Sequence, residues 1–189
     1  IYPYLCVDLG GRRIIKKKTL NDKLPSNKEV AQNYSLEQAY QLYKNQANQM
    51  KNLGFHMNLA PVIETETQDN CDFLDGRSFG DYQKVIDYGR ACINAYQNNN
   101  ISTVVKHFPG NTNTDPHSGL PEITLSENDL NKSIMSFKNI LDYNPAAVLM
   151  SHARTIAIDK ETPACLSNKW VTEILRNDFG YEGLIISDD

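Results

Sequence analysis

Five short apolar runs alternate along this chain with segments in which apolar residues recur at helical spacing. Strands that alternate with amphipathic helices predict a parallel β/α architecture. Each apolar run also ends in a polar or ionisable residue, and the carboxyl ends of parallel strands lie on one side of a sheet. We therefore expect one edge of the sheet to collect these terminal residues. They are Asp8, Glu64, Lys106 with His107, Ser151 with His152, and Asp188.

The fold class that best collects these strand ends is the TIM-type (β/α)8 barrel. A barrel gathers every strand end around one pocket, whereas a doubly wound sheet gathers only those near a switch point. A complete barrel typically needs about 250 residues, whereas this chain has 189 and ends directly after a strand. We therefore predict an α/β fold in which residues 1–189 form a single, incomplete portion of a barrel, completed by strands outside the sequence.

Capping residues mark the starts of the predicted helices. Ser35 and Gln38 form a capping-box pattern, and apolar residues then recur at helical spacing until Gly54, which can adopt the left-handed stop. The polar, aperiodic segment 16–33 is predicted to be a surface connection. Further helix caps are predicted at Asp81, Ser126 and Ser167.

The composition of the chain excludes some classes of binding partner. The chain has 19 basic and 23 acidic residues, and the triplet 16–18 is its only basic cluster. Because nucleic-acid binding rests on clustered Lys and Arg, we expect no nucleic-acid partner. No apolar run approaches the roughly 20 residues that cross a bilayer, so no membrane span is expected. The four cysteines are scattered without a C-x-x-C pair, which predicts a reducing compartment and a cytoplasmic location.

The stretch richest in reactive side chains directly follows the apolar run at 101–105. It contains Lys106, His107, Asp115 and His117 among residues that favour turns. An aspartate beside a histidine can fix the tautomer of the imidazole and make it an oriented general base. The alternative is that Asp115-Pro116-His117 forms a solvated turn with a chance histidine, since short motifs often match by accident.

Further candidates lie at other strand and loop positions. Asp188 follows an apolar strand and is either a carboxylate nucleophile or base, or the cap of the next helix. Arg77, Lys106 and His107 can donate hydrogen bonds to ligand hydroxyl or anionic groups, or they tether loops instead. No metal site or cofactor is expected, because the histidines lack metal-ligand spacing and no phosphate-binding motif is present. The histidines are His56, His107, His117 and His152.

Seven motifs together resemble those of the bacterial β-N-acetylglucosaminidases of glycoside hydrolase family three, and they occur in the same order. The resemblance spans the whole chain, and the set is specific although each motif alone is weak. The motifs are Val7-Asp8 with Gly10-Gly11-Arg12, Asn58-Leu59-Ala60-Pro61-Val62, Gly76-Arg77-Ser78-Phe79-Gly80, Lys106-His107-Phe108-Pro109-Gly110 with Asp115-x-His117 and Leu120-Pro121, Ser151-His152-Ala153, Pro163-Ala164-x-Leu166-Ser167, and Gly183-Leu184-Ile185-Ile186-Ser187-Asp188-Asp189.

The resemblance implies a barrel-type catalytic domain and a retaining, two-step glycosidase that needs no cofactor. Its substrates would be peptidoglycan fragments or related oligosaccharides with a terminal β-linked N-acetylglucosamine. Carried over by motif, Asp188 is the nucleophile that forms a covalent glycosyl-enzyme. His117 is the general acid/base, with Asp115 as its partner. The residues that would hold the sugar are Asp8, Arg77, Lys106 and His107.

The chain departs from the family pattern at several places. The loop 111–114, ahead of Asp115, is two residues shorter than in the family, and Glu64 stands in place of an aspartate. The segment 8–12 lacks one carboxylate and one residue, and a second sugar-binding arginine would fall near Ile15. Two alternatives therefore stay open. One is a degenerate, non-catalytic sugar-binding protein, and the other is a phosphorylase, because a histidine acid/base does not repel phosphate as a carboxylate would. The oligomeric state is not indicated.

Overall fold

The computed structural model describes residues 24–114 and 119–188, and the backbone of 5–7. Its largest element is a five-stranded sheet whose neighbouring strands are all parallel. A second sheet has two short parallel strands. The strands are β1 (Leu5–Val7), β2 (Phe55–Asn58), β3 (Ser102–Phe108), β4 (Glu122–Ile123), β5 (Ala147–Met150), β6 (Arg154–Thr155) and β7 (Leu184–Ser187).

The strand order confirms the predicted fold class. The large sheet runs β1-β2-β3-β5-β7, and β4 pairs with β6 apart from it. Strands therefore follow one another in chain order without the reversal that marks the switch point of a doubly wound sheet. An unreversed, all-parallel order is that of consecutive strands in a TIM-type barrel. The chain is thus an incomplete portion of a barrel, as its length predicted.

Helices separate the strands of the large sheet, and three helix starts agree with the predicted caps, at Ser35, Asp81 and Ser126. Ser35 Oγ accepts from Gln38 N at 3.3 Å, and Gln38 Oε1 accepts from Ser35 N at 2.9 Å, which completes the capping box. Asp81 and Ser126 also accept at their helix starts. The helices are α1 (Asn27–Asn33), α2 (Leu36–Asn52), α3 (Cys71–Leu74), α4 (Tyr82–Gln97), α5 (Glu127–Ser133) and α6 (Met135–Leu141), followed by a 3-10 turn (Ala164–Leu166) and a π-helix (Lys169–Asp178).

Two of the sequence expectations for the helices were wrong. The segment 16–33 was predicted to be a surface connection, but its last part forms α1, capped by Ser26, whose hydroxyl exchanges hydrogen bonds with Glu29. Two turns are too short for a helical period to show in the sequence. The single helix expected after Ser126 is divided at Ile134 into α5 and α6. Across residues 24–114 and 119–188, no helix combines the length and apolarity that crossing a membrane requires.

Both faces of the large sheet carry apolar residues, as a barrel wall requires. One cluster lies between the sheet and the helices and includes Val105 and Val148. A separate cluster contains Val104, Ala147 and Leu149, which alternate with the first set along the same strands. Because successive residues of a strand point to opposite faces, the second cluster is the inner wall of the barrel.

The alternation between inner-wall and helix-side residues is interrupted near the end of β3. The register between β3 and β5 shifts between Lys106 and Phe108. Phe108 therefore joins the helix-side cluster rather than the inner wall. Its ring makes edge-on contacts with three aromatic rings, with centroid separations of 5.2, 5.5 and 6.0 Å. The three partners are Phe137, Trp170 and Phe179.

Removing the cap of α2 tests the local stability of this frame. Ser35→Ala is expected to lower the free energy of unfolding by about 1 kcal/mol, because the Gln38 amide loses its acceptor. Denaturant melts of the full-length protein measure the change. Ser35→Asn retains a capping oxygen and should differ little from wild type, so an equal loss in both variants would contradict a capping role.

Candidate active site

The strand ends are aligned in rows at the carboxyl edge of the sheet. Lys106 is in register with Leu149 of β5, which is in register with Ile186 of β7. The next row contains Phe108, Met150 and Ser187. Because neighbouring strands lie about 4.8 Å apart, this register brings three predicted strand ends to one edge. They are Lys106-His107, Ser151-His152 and Asp188.

Lys106 and His107 are buried although both are polar, with 3% and 5% of their surfaces exposed. Lys106 lies two residues after Val104, so its side chain is on the inner face of the barrel wall. Buried cationic side chains require polar partners, because an unpaired buried charge is costly. The burial of both residues at a strand end indicates a site rather than a solvated loop.

Glu64 is the closest partner of His107. The chain beyond β2 stays beside β3, since Val62 bridges Lys106 and Ile63 N donates to Lys106 O at 3.0 Å. Glu64 therefore reaches the histidine, and its Oε1 lies 2.7 Å from His107 Nδ1. The same oxygen accepts from His107 N and from Asn111 Nδ2, both at 3.2 Å. Only 2% of the Glu64 side chain is exposed, so this is a buried carboxylate–imidazole pair.

Arg77 is held by the loop in which it lies. Its Nη2 donates to Phe73 O at 2.7 Å and its Nε donates to Leu74 O at 3.1 Å. The guanidinium carbon is also 4.8 Å from the centre of the Phe73 ring, and that ring contacts His107 edge-on at 6.0 Å. These contacts support the tethering alternative for Arg77, and its contact with a sugar stays a prediction.

The shortened loop 111–114 is fastened to a neighbouring loop through Asn113. Its Oδ1 accepts from Asp72 N at 2.9 Å and from Phe73 N at 3.2 Å, so it caps the start of α3 across the fold. Its Nδ2 donates to Gln68 O at 2.9 Å. Such a side chain satisfies amides that a helix start otherwise leaves without acceptors. The loop is thus anchored shortly before the predicted acid/base residues.

Asp188 lies half-buried at the end of β7, near a thiol and an imidazole. Cys165 Sγ is 3.6 Å from His152 Nδ1. Partial burial raises the pKa of Cys165, and the negative charge of Asp188 adds to the increase. The register of β5 with β7 brings the chain after Ser187 to the same edge as the chain after Met150. The edge of β5 and β7 therefore combines the predicted nucleophile with His152 and Cys165.

Three predicted site residues, Asp8, Asp115 and His117, lie outside the described residues. Among the described residues, no group of three or more His, Cys, Asp or Glu side chains could hold a metal ion. Sequence reasoning assigned no role to several side chains that the structure brings to the site. Glu64 was expected at a strand end, although β2 ends at Asn58, and the loop 111–114 was singled out only for its length. The remaining side chains gave no signal. Besides Glu64, the side chains without an assigned role are Phe73, Asn111, Asn113 and Cys165.

Comparisons with known proteins agree on one family. Residues 6–189 match the family model described as the glycosyl hydrolase family 3 N terminal domain. Beta-hexosaminidase LpqI of Mycobacterium tuberculosis is 27% identical over 192 residues, which cover 97% of this chain and 49% of the relative. A beta-hexosaminidase of Pseudomonas aeruginosa is 27% identical over 189 residues, which cover 98% of this chain and 56% of the relative.

Solved structures give the same result. The crystal structure of native NagZ from Neisseria gonorrhoeae superposes with a TM-score of 0.86 at 26% identity, covering 98% of this chain and 57% of that chain. The structure of LpqI from M. tuberculosis also has a TM-score of 0.86, at 27% identity. The chain spans about half the length of the curated relatives it matches, with 49% and 56% of the two named above.

Proposed function

Because this chain belongs to the glycosyl hydrolase family 3 N-terminal domain family, we propose that the full-length protein is a retaining β-N-acetylhexosaminidase. Its substrates would be peptidoglycan fragments or related oligosaccharides, from which it removes a terminal β-linked N-acetylglucosamine. The relatives are named beta-hexosaminidases, which supports this substrate class. The cytoplasmic location stays a prediction from the cysteine pattern.

The observation that carries the proposal is the position of Asp188. Its strand β7 is in register with β5, and β5 is in register with β3, so Asp188 shares an edge with Lys106 and His107. A half-buried carboxylate on the same sheet edge as buried donors suits a nucleophile that attacks a bound sugar. Lys106 supplies a charged donor for sugar hydroxyls, and His107 offers the ring nitrogen that Glu64 leaves available.

The proposed reaction proceeds by two displacements at the anomeric carbon. In the first, an oxygen of Asp188 bonds to that carbon while the glycosidic bond breaks, and His117 protonates the leaving oxygen. In the second, neutral His117 takes a proton from water, whose oxygen attacks the same carbon and releases Asp188. Two inversions restore the β configuration. An imidazole, with an ordinary pKa of about 6.5, can both give and take the proton near neutral pH.

The two rival functions differ in what happens to the sugar. A non-catalytic binding protein would hold N-acetylglucosamine without turnover, but it gives no reason for a carboxylate at the position of Asp188. A phosphorylase would use the same first step and then pass the sugar to phosphate rather than water. The shortened loop 111–114 raised the first rival, and the anchoring of that loop through Asn113 weakens it.

The test uses the full-length protein and 4-nitrophenyl β-N-acetylglucosaminide. We expect release of nitrophenol, no release from the α-anomer, and a first sugar product in the β configuration when the reaction is followed by proton NMR. Calorimetric binding of N-acetylglucosamine without turnover would overturn the proposal in favour of the binding protein. Formation of sugar 1-phosphate in phosphate buffer, in place of free sugar, would overturn it in favour of the phosphorylase.

A further inference from the structure

The structure assigns a positioning role to Glu64: its carboxylate fixes His107 in the Nδ1–H tautomer and ties the start of the loop 111–114 to the same oxygen. Glutamate stands here where the family resemblance predicts an aspartate. The inference rests on the proposed function only for its effect on turnover, because the tautomer is a property of the free protein.

The hydrogen bonds at Glu64 Oε1 determine which nitrogen of His107 carries the proton. This oxygen accepts from two groups that are always donors, the backbone N–H of His107 and the side-chain amide of Asn111, both at 3.2 Å. It is therefore an acceptor for the imidazole as well, and Nδ1 at 2.7 Å must be the donor. The tautomer of a histidine is set by the bond that one of its nitrogens makes. In the neutral ring, Nε2 is then left with a lone pair.

A neutral imidazole of this tautomer presents an acceptor to a ligand. Lys106, the preceding residue, has a charged donor and no acceptor. Lys106 therefore offers a donor and His107 an acceptor to neighbouring sugar hydroxyls. Each hydroxyl can both donate and accept a hydrogen bond. Without Glu64, the proton would be free to move to Nε2, and the site would present two donors instead.

The second carboxylate oxygen of Glu64 is also buried. This oxygen, Oε2, makes no hydrogen bond to any group in the described part of the chain and has almost no exposed surface. A Cβ on Gly110 would lie 3.8 Å from this oxygen. Glu64 and Gly110 line a cavity of about 70 Å³ together with Ile123 and Phe137. The contact of the carboxylate with the imidazole therefore supports a role that Glu64 exerts through His107.

The test is the tautomer of His107 in the full-length protein labelled with nitrogen-15 histidine. Two-dimensional NMR distinguishes a protonated from an unprotonated ring nitrogen, and the signals of His107 are assigned by their loss in His107→Gln. In wild type we expect protonated Nδ1 and unprotonated Nε2 above the titration of the ring. In Glu64→Leu, which keeps the volume and removes the acceptor, we expect a signal for protonated Nε2.

Two further variants keep the test decisive. Glu64→Asp retains the charge but shortens the side chain by one methylene, so Nε2 should become protonated in part, even if the leucine variant does not fold. Asn111→Ala removes another donor to Glu64 and should leave the wild-type pattern. An unchanged pattern in both Glu64 variants would overturn the inference, and so would a change in Asn111→Ala as large as that in Glu64→Leu.

Turnover provides the second measurement. If the proposed function holds, Glu64→Leu should lower kcat/KM for the aryl glycoside by about 10- to 100-fold, a loss of the size that follows removal of the carboxylate partner of a metal-bound histidine. A protein that shows the expected tautomer but no hydrolysis would contradict the proposed function and leave the role of Glu64 intact. An active enzyme in which the His107 tautomer does not depend on Glu64 would contradict the positioning role and leave the proposed function intact.

Discussion

Asp188→Asn is expected to lower kcat/KM for 4-nitrophenyl β-N-acetylglucosaminide by at least about 10³-fold, because an amide cannot form the glycosyl-enzyme ester. A loss of this size is about 4 kcal/mol of transition-state stabilisation. Binding of N-acetylglucosamine should change far less, since Lys106 and His107 remain in place at the end of β3, which β5 separates from β7. Steady-state kinetics and calorimetry on the full-length protein separate the two effects.

The matched control is Asp178→Asn, the same chemical change at an exposed position of the π-helix. It should retain wild-type kinetics within about twofold, as exposed substitutions usually do.

A second experiment tests the nucleophile directly, with Asp188→Ala and sodium azide. Azide nitrogen should bond to the anomeric carbon from the side that the carboxylate leaves open, releasing nitrophenolate and giving the α-glycosyl azide. If Asp188→Asn kept wild-type turnover, the nucleophile would have to be another residue.

Phe108→Ala is expected to destabilise the fold by about 3 to 5 kcal/mol, the usual range for a buried phenylalanine. Phe108 is fully buried and makes edge-on contacts with the rings of Phe137, Trp170 and Phe179, so its removal leaves a cavity between sheet and helices. A domain is typically stable by only about 5 to 15 kcal/mol, so this is a large fraction of the total. Denaturant unfolding monitored by circular dichroism measures it.

Leu166→Ala provides the comparison, because 73% of the Leu166 surface is exposed. Its free energy of unfolding should stay within about 0.5 kcal/mol of wild type. Similar losses in the two variants would mean that Phe108 does not belong to the helix-side core. Phe108→Leu, which refills part of the cavity, should fall between the alanine variant and wild type.

The fold could be predicted from the sequence because its signals are local. Capping residues lie three positions from the amides they bind, as at Ser35 and Gln38. Apolar runs indicate strands without any knowledge of which strands they pair with in the sheet. The alternation of the two then restricts the architecture to parallel β/α folds. The pairing of β4 with β6 was missed, since strands of two residues leave no periodic pattern.

The site was predicted only as a set of candidate residues, because its contacts are non-local. Glu64 and His107 are 43 positions apart, and Asn113 reaches an amide 41 positions away. Their contact depends on how the chain beyond β2 stays beside β3, which no short motif encodes. Arg77 shows the converse case, since its guanidinium donates to carbonyl oxygens only three and four positions away, which tethers its own loop.

The aromatic cluster behind β3 also contains the one tryptophan of these 189 residues, Trp170. Its indole is fully buried, its Nε1 donates to Thr155 Oγ1 at 2.7 Å, and its ring contacts Phe108 one residue from His107. In this part of the protein, tryptophan fluorescence therefore has a single source, shielded from water and adjacent to the strand that carries Lys106 and His107. A red shift in its emission would report water entering behind that strand, and quenching by a bound sugar would report a movement of the strand itself.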